Sequence, residues 1–208
     1  MNISSLKTPI KIKLYKETSM NVYDFDDTIY DGDSNADFFK DLFMKYPSLL
    51  RYAPDLVKIM NDYRKTNLRF EDLIAKYGGV LQDFIDKHHP DPEQMSKEFW
   101  DKHEKQIKPF YKEIQKEDDL IITASPKFQM DEICKRLGIK HYLASEFDLR
   151  TGVFGRPCFR ERKIEFFREA YPDGVIDDFY TDSLNDEFLF PYAKRVFWVK
   201  GNEITQIK

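Results

Sequence analysis

Three carboxylates fall within four positions, at Asp24, Asp26 and Asp27, directly after the pair Val22-Tyr23. A β-branched and an aromatic residue favour a strand and carboxylates do not, so the chain should leave its sheet at Asp24. Asp24 and Asp26, one residue apart, then reach one metal or one substrate from a single strand end. Like charges that close repel unless a cation or a proton sits among them. A second acidic pair, Asp182 and Asp186, follows the strand-like run Asp178-Phe179-Tyr180-Thr181, with Ser183 placed to cap a helix from Leu184 to Ala193. Acids in a first helical turn are favoured by the helix dipole alone. Oxygen-rich clusters of this kind also suit Mg²⁺, with waters and a substrate phosphate completing its octahedron.

Two further stretches carry groups of the complementary kind. Leu120-Ile121-Ile122-Thr123-Ala124-Ser125-Pro126 is an apolar run that ends in small hydroxyl residues before a helix over Lys127–Leu137. A hydroxyl and free backbone N–H groups at a helix N-terminus suit a phosphate oxygen, and Ser125 equally suits a helix cap. Lys163 lies early in a helix that opens at Arg160 and runs to about Ala170. Position alone favours it only weakly over Arg156, Arg160 or Arg162, because lysines early in helices are commonly solvated.

The elements that must position these groups alternate. A continuous apolar strand at Leu120 points to a parallel sheet covered on both faces. His141–Ala144 reads as a third strand and Arg150-Thr151-Gly152 as the turn of a hairpin between Glu146–Asp148 and Val153-Phe154. Arg195–Val199 reads as a fifth strand and Glu203–Ile207 as a last one. Between the first two strands the chain is helical: Ala36–Lys45, Leu49–Lys65, Phe70–Tyr77, Val80–Lys87, Pro92–Lys102 and His103–Lys116, with Ser34 as the first N-cap. Phe38, Phe39, Leu42 and Phe43, and Leu50, Tyr52, Leu56 and Met60, keep helical spacing and are core stripes. The fold class is therefore α/β, a Rossmann-like doubly wound parallel sheet with an inserted α-helical cap. The core is assigned to residues 20–34 and 116–208, the cap insertion to 35–115, and 1–19 to an N-terminal tail. That tail carries Lys7, Lys11, Lys13 and Lys16, and reads as loosely ordered or as one short edge strand through Ile10, Ile12 and Leu14.

At 208 residues with 34% charged and 15% aromatic residues, the chain has the make-up of a globular protein with a proper core. A net charge of -4 gives no reason to expect nucleic acid as a partner. No apolar run reaches the length of a membrane span, and no secretory leader stands at Met1. Cys134 and Cys158 have neither metal spacing nor a disulfide pattern, which fits a reducing, cytoplasmic compartment. His88 and His89 read as loop residues, since nothing nearby completes a metal set. The expected assembly is a monomer or a homodimer.

Asp24-Phe25-Asp26-Asp27-Thr28, Ile121-Ile122-Thr123-Ala124-Ser125-Pro126, Arg162-Lys163 and Thr181-Asp182-Ser183-Leu184-Asn185-Asp186, in that order, resemble the motifs of haloacid dehalogenase-like hydrolases. More narrowly, the chain is similar to the phosphoserine phosphatase subgroup, whose helical cap enters between the first two motifs. The resemblance implies that Asp24 is the nucleophile of an aspartyl-phosphate and Asp26 the general acid and base. It implies that Thr28 orients the Asp26 loop, and that Thr123, Ala124 and Ser125 hold phosphate oxygens. It further implies that Lys163 neutralises nucleophile and phosphoryl group, and that Mg²⁺ is held by Asp24, the carbonyl of Asp26, Asp182 and, directly or through water, Asp186. An aspartate two residues after the nucleophile argues for phosphate ester chemistry, because a halide leaving group needs no proton.

The substrate is less legible. Asp33 stands nine residues after Asp24, where phosphoserine phosphatases carry an acid, but relatives of other specificity share it. Their cap arginine aligns with Tyr77, with Arg64 and Arg69 nearby, which argues against phosphoserine. Tyr30, Phe70 and Tyr77 are the candidates for substrate contact, and a closing cap favours a small phosphorylated metabolite. Two alternatives stand beside this Mg²⁺-dependent phosphatase: a phosphotransferase using the same intermediate, and a catalytically silent phosphometabolite-binding protein.

Overall fold

The structure, a computed structural model, describes residues 19–52, 54, 57, 58, 79 and 82–208. The tail up to residue 18, most of the expected helix from Leu49 and all of the one from Phe70, with Arg64, Arg69, Phe70 and Tyr77, lie outside the described residues. Six strands form the main sheet, in the order β3-β2-β1-β6-β7-β8. They are β1 (Ser19–Tyr23), β2 (Leu120–Pro126), β3 (His141–Ser145), β6 (Val175–Thr181), β7 (Ala193–Lys200) and β8 (Glu203–Gln206). Every neighbouring pair is parallel except the hairpin of β7 with β8. The strand series runs outward in opposite directions from β1 and β6, which makes the gap between them the switch point where such sheets bind ligands.

Pleat alternation puts Val22, Leu120, Ile122, Phe179 and Val196 on one face, packed against Phe166 and Phe167 of α5 (Arg162–Ala170) and Leu189. Tyr23, Ile121 and Tyr180 face the other way, into a core with Trp100 of α2 (Pro92–His103), Tyr111 of α3 (Pro109–Ile114) and Met130 and Ile133 of α4 (Lys127–Leu137). Both faces of the central strands β1 and β2 are covered, which is why Val22-Tyr23 and Leu120–Ile122 read as apolar runs without polar alternation. Tyr23 stacks on Tyr180 with ring centroids 4.6 Å apart, and Tyr180 on Phe197 at 4.8 Å, an aromatic row across three strands. The hairpin after β3 is present as β4 (Phe147–Asp148) and β5 (Val153–Phe154), with Gly152 at φ 72 supplying its turn.

Several expected boundaries move. β1 begins at Ser19, which pairs with Val175, so this residue belongs to the sheet and not to the tail. The first helix, α1 (Ser34–Lys45), is capped by Asp33, whose carboxylate accepts from the Ala36 N–H at 3.0 Å; Ser34 is already helical. The single helix expected over His103–Lys116 breaks at Ile107 and Lys108, which are extended, because Pro109 disfavours helical backbone before it and starts α3 instead. The helix expected from Leu184 is 3₁₀ helix over Leu184–Tyr192, with Pro191 near its end. His88 ends the helical residues 82–88, its ring 4.5 Å from that of Tyr46, rather than lying in a loop. Cys134 and Cys158 are both buried and free.

Asp119 stands just before β2, buried, with Oδ2 accepting from the Lys116 N–H at 2.8 Å. Burial pushes its carboxyl up to about 6, against the Lys116 bond and charge. The folded state therefore binds this proton more tightly than the unfolded chain, whose Asp titrates near 3.9. The sign follows: on account of Asp119, stability falls as pH rises from about 4 to about 6. Asp119→Asn keeps an acceptor for Lys116 and removes the charge. It should gain about 1–2 kcal/mol at pH 7 and nothing at pH 4, read by denaturant unfolding at both pH values. Equal changes at the two pH values would refute the assignment.

Candidate active site

The sheet register assembles the site. Tyr23 aligns with Ile121 on one side and Tyr180 on the other, so Asp24, Thr123 and Asp182 all emerge at the carboxyl ends of adjacent strands. The Asp24 N–H still donates to the Tyr180 carbonyl at 2.9 Å, and the chain then curls: the N–H groups of Ile29 and Tyr30 both donate to the Phe25 carbonyl, at 2.8 and 2.9 Å. Phe25 is fully buried against Trp100 and Tyr30, which anchors the curl and leaves Asp24 and Asp26 facing out of the sheet end.

Lys163 lies between two carboxylates. Its ammonium is 2.8 Å from Asp24 Oδ1 and 2.7 Å from Asp186 Oδ1, and the other Asp186 oxygen accepts from the Thr181 hydroxyl at 2.9 Å. Burial works against the Lys163 charge, but Asp186 and Asp24 outweigh it and hold the ammonium protonated well beyond the ordinary lysine range. Burial likewise raises the Asp24 carboxyl well above its usual range; Lys163 opposes this, and Asp186 and Asp182 add to it. Of the cationic candidates, Lys163 is the buried one. Arg156 is spent on Glu169 and Glu146 at the surface, and Arg160 lies over the ring of Phe159.

Asp26 is held by a different set. Its Oδ1 accepts from the Ser34 N–H at 2.7 Å and its Oδ2 from the Ser125 hydroxyl at 2.6 Å. Burial pushes this carboxyl up to about 6, while the Ser125 and Ser34 bonds pull the other way. Ser125 is thus no helix cap: α4 has Pro126 at that position, without a side-chain bond. The Ser125 N–H turns back to the Thr123 hydroxyl at 3.0 Å, and Asn35 donates to Ser125 Oγ at 2.9 Å. Asn35 escaped the sequence reading because it looks like any polar residue in a first helical turn.

Thr28, buried, directs its hydroxyl at Asp182 Oδ1 at 3.5 Å rather than at Asp26. Burial, with Asp27 and Asp186 close by, pushes the Asp182 carboxyl up to about 6. Asp186 has one oxygen on Lys163 and the other on Thr181, which ties Lys163 to the end of β6. Tyr30 is completely buried, with its hydroxyl on Asp37 at 2.7 Å, and the structure puts it in the core and not on a substrate-facing surface. Asp33 is the cap of α1, as above.

The donors fit Mg²⁺ by their chemistry. Asp24 and Asp182 are oxygen ligands in a crowd of acids whose carboxyls are raised by burial and mutual repulsion, the situation a hard cation relieves. Among the described residues no three His, Cys, Asp or Glu side chains converge as a metal set, so side chains of these types do not by themselves complete a site here.

The parallel α/β sheet thus gathers paired aspartates around a buried lysine at its switch point. A family model described as haloacid dehalogenase-like hydrolase matches residues 22–187, and the chain belongs to that family. No curated protein matches its sequence. Among solved structures, a Bordetella pertussis Tohama I protein with unknown function is 22% identical, with TM-score 0.66 over 86% of this chain and 89% of that one. A phosphoserine phosphohydrolase-like protein from Francisella tularensis is 19% identical, with TM-score 0.57 over 86% of this chain and 85% of that one. A HAD family hydrolase from Salmonella enterica serovar Typhi is 14% identical, with TM-score 0.56 over 85% of this chain and 61% of that one. These likenesses are of fold. No helix among the described residues is long and apolar enough to cross a membrane.

Proposed function

We propose that this hydrolase is a Mg²⁺-dependent phosphatase that cleaves a small phosphorylated metabolite through an aspartyl-phosphate on Asp24. The observation that carries the reading is the division of labour between two aspartates two residues apart. Asp24 is paired with a permanent cation, at 2.8 Å from Lys163. Asp26 is buried, hydrogen-bonded and raised to about 6, where it can both give and take a proton near neutrality. A carboxylate held against a cation for attack and a carboxyl that can give a proton to the leaving group are what ester cleavage through a covalent intermediate needs.

In this reading Asp24 attacks phosphorus in line while Asp26 protonates the departing alkoxide. Asp26, now a carboxylate, then takes a proton from the water that opens the intermediate. Lys163 holds the Asp24 carboxylate and the phosphoryl oxygens in one electrostatic field, and Asp186 and Thr181 keep Lys163 in place. Thr123 and the Ala124 amide are proposed to bind the remaining phosphate oxygens, and the Ser125 amide would join them by leaving the Thr123 hydroxyl. The Asp24 and Asp182 carboxylates with the Asp26 carbonyl would hold Mg²⁺, which when bound offsets the repulsion between nucleophile and phosphate. Residues 35–115 are proposed as a cap that shields the site from water, over a core of 20–34 and 116–208.

The test is phosphate release from a panel of phosphorylated metabolites, with Mg²⁺ and with chelator. Turnover that requires the metal supports the reading and its best substrate names the metabolite class. Folded protein that releases none across the panel would sink it.

A further inference from the structure

The acidic loop is gripped from one side by the chain returning from the helical segment to β2. Residues 106–108 lie along residues 29–31. The Asp31 N–H donates to the Gln106 carbonyl at 2.8 Å, the Lys108 N–H donates to the Ile29 carbonyl at 2.8 Å, and Tyr30 bridges Ile107 in antiparallel fashion. Lys108 adds its side chain to this contact: it is 3% exposed, and its ammonium donates to the main-chain carbonyl of Asp27. Among the described residues, Lys108 and Lys163 are the two buried cations, and the site described above uses only Lys163.

The carbonyl that Lys108 holds belongs to an unusual residue. Asp27 has φ 55, in the left-handed region, and its N–H donates to the Gly32 carbonyl at 2.8 Å. In a trans peptide the N–H and C=O point to opposite sides, so this bond turns the Asp26 carbonyl away from Gly32. The next peptide along is fixed by Lys108. A backbone conformation of this kind persists only where its surroundings over-determine it, and here the surroundings are Gly32 and Lys108. Burial disfavours the Lys108 charge, and the carboxylates of Asp31, Asp27 and Asp182 around it favour the charge.

We infer that Lys108 is a positioning residue: its buried ammonium locks the Asp27 peptide and so holds Asp26 and its carbonyl in place for chemistry at Asp24. The inference rests on the phosphatase reading of the site. It also makes residues 106–108, at the end of the inserted segment, part of the catalytic loop's support. A neutral side chain could reach the same carbonyl, but it would not place positive charge beside Asp27, Asp31 and Asp182.

The experiment compares the full chain with Lys108→Met, Lys108→Gln and Lys108→Arg, each checked for folding by thermal melting. Hydrogen exchange of the amides of residues 25–32 is measured first, with Mg²⁺ alone and no substrate. Lys108→Met should exchange there about tenfold faster, with residues 175–181 of β6 unchanged. With the best metabolite of the panel, kcat should fall about 10- to 100-fold while KM stays within about threefold, as for a group that acts on the transition state. Lys108→Arg should recover most of the rate and Lys108→Gln the exchange protection but not the rate; if Lys108→Met does not fold, these two decide. Unchanged exchange at residues 25–32, or faster exchange spread equally over β6, would overturn the inference. Because exchange needs no turnover, a wild-type protein that releases no phosphate defeats the phosphatase reading, and unchanged exchange in Lys108→Met, or a full rate in Lys108→Gln, separately defeats the role of Lys108.

Discussion

Asp24→Asn ends turnover: phosphate release from the best substrate falls by about four orders of magnitude, while the protein melts no lower than the wild type. The two halves of this result have one cause. The Asp24 carboxylate is buried beside Asp186 and Asp182, and burial raises its carboxyl well above the ordinary range. An amide of the same shape keeps an oxygen for the Lys163 ammonium and discards the repulsion, so folding is not penalised. It also discards the nucleophile, and the other carboxylate on Lys163, that of Asp186, has its second oxygen on Thr181 and follows β6 rather than β1. A site that costs stability in order to work is the expected pattern for a catalytic cluster. The measurement is phosphate release alongside thermal melting; a variant that keeps even a tenth of the rate would show that Asp24 is not the attacking group.

Lys163→Met does the opposite to folding. Lys163 and Asp186 are both almost wholly inaccessible, at 3% and 2% side-chain exposure, and Asp24 at 12% is little more open. Removing the cation leaves two carboxylates facing each other without compensation, and breaking a buried ion pair by deleting one partner costs about 3–5 kcal/mol. Denaturant unfolding should show that loss, and phosphate release should fall with it. Lys163→Met combined with Asp186→Asn should regain much of the stability and none of the activity, because the double change removes the stranded charge but does not restore the cation. A single variant within about 1 kcal/mol of wild type would mean that Lys163 is solvated in solution, contrary to its burial here.

Much of the architecture was readable residue by residue. Val22-Tyr23, Leu120–Ile122 and Phe179–Thr181 announce strands by their own side chains, and because both faces of the sheet are covered they do so as unbroken apolar runs. The positions where those runs meet Asp, Thr or Ser mark the strand ends, since carboxylates leave a sheet and hydroxyls tolerate its edge. Local chemistry also placed α2 and α4 to within a residue or two, through Pro92 at a first turn and Gly138 at φ 70 at a last one. Where local reading failed, a proline or a neighbour decided. Pro109 broke a helix that side-chain periodicity had continued, and Asp33 took the capping role that Ser34 was equally suited to by type.

By itself, then, the sequence determined the order and kind of the elements and which acids, hydroxyls and lysines stand at their ends. Only the tertiary structure decided what those groups do to one another. Ser125 meets Asp26 across 99 positions, Lys163 meets Asp24 across 139, and Lys108 meets Asp27 across 81. No periodicity reports contacts at such separations. They are set by strand register and by how the helices and the returning chain pack on the sheet, and a one-residue slip of a strand would turn its side chains to the other face. The same holds for charge. Whether an aspartate binds a cation, shares a lysine or holds a proton depends on burial and on distances of about 3 Å, which exist only once the sheet has formed.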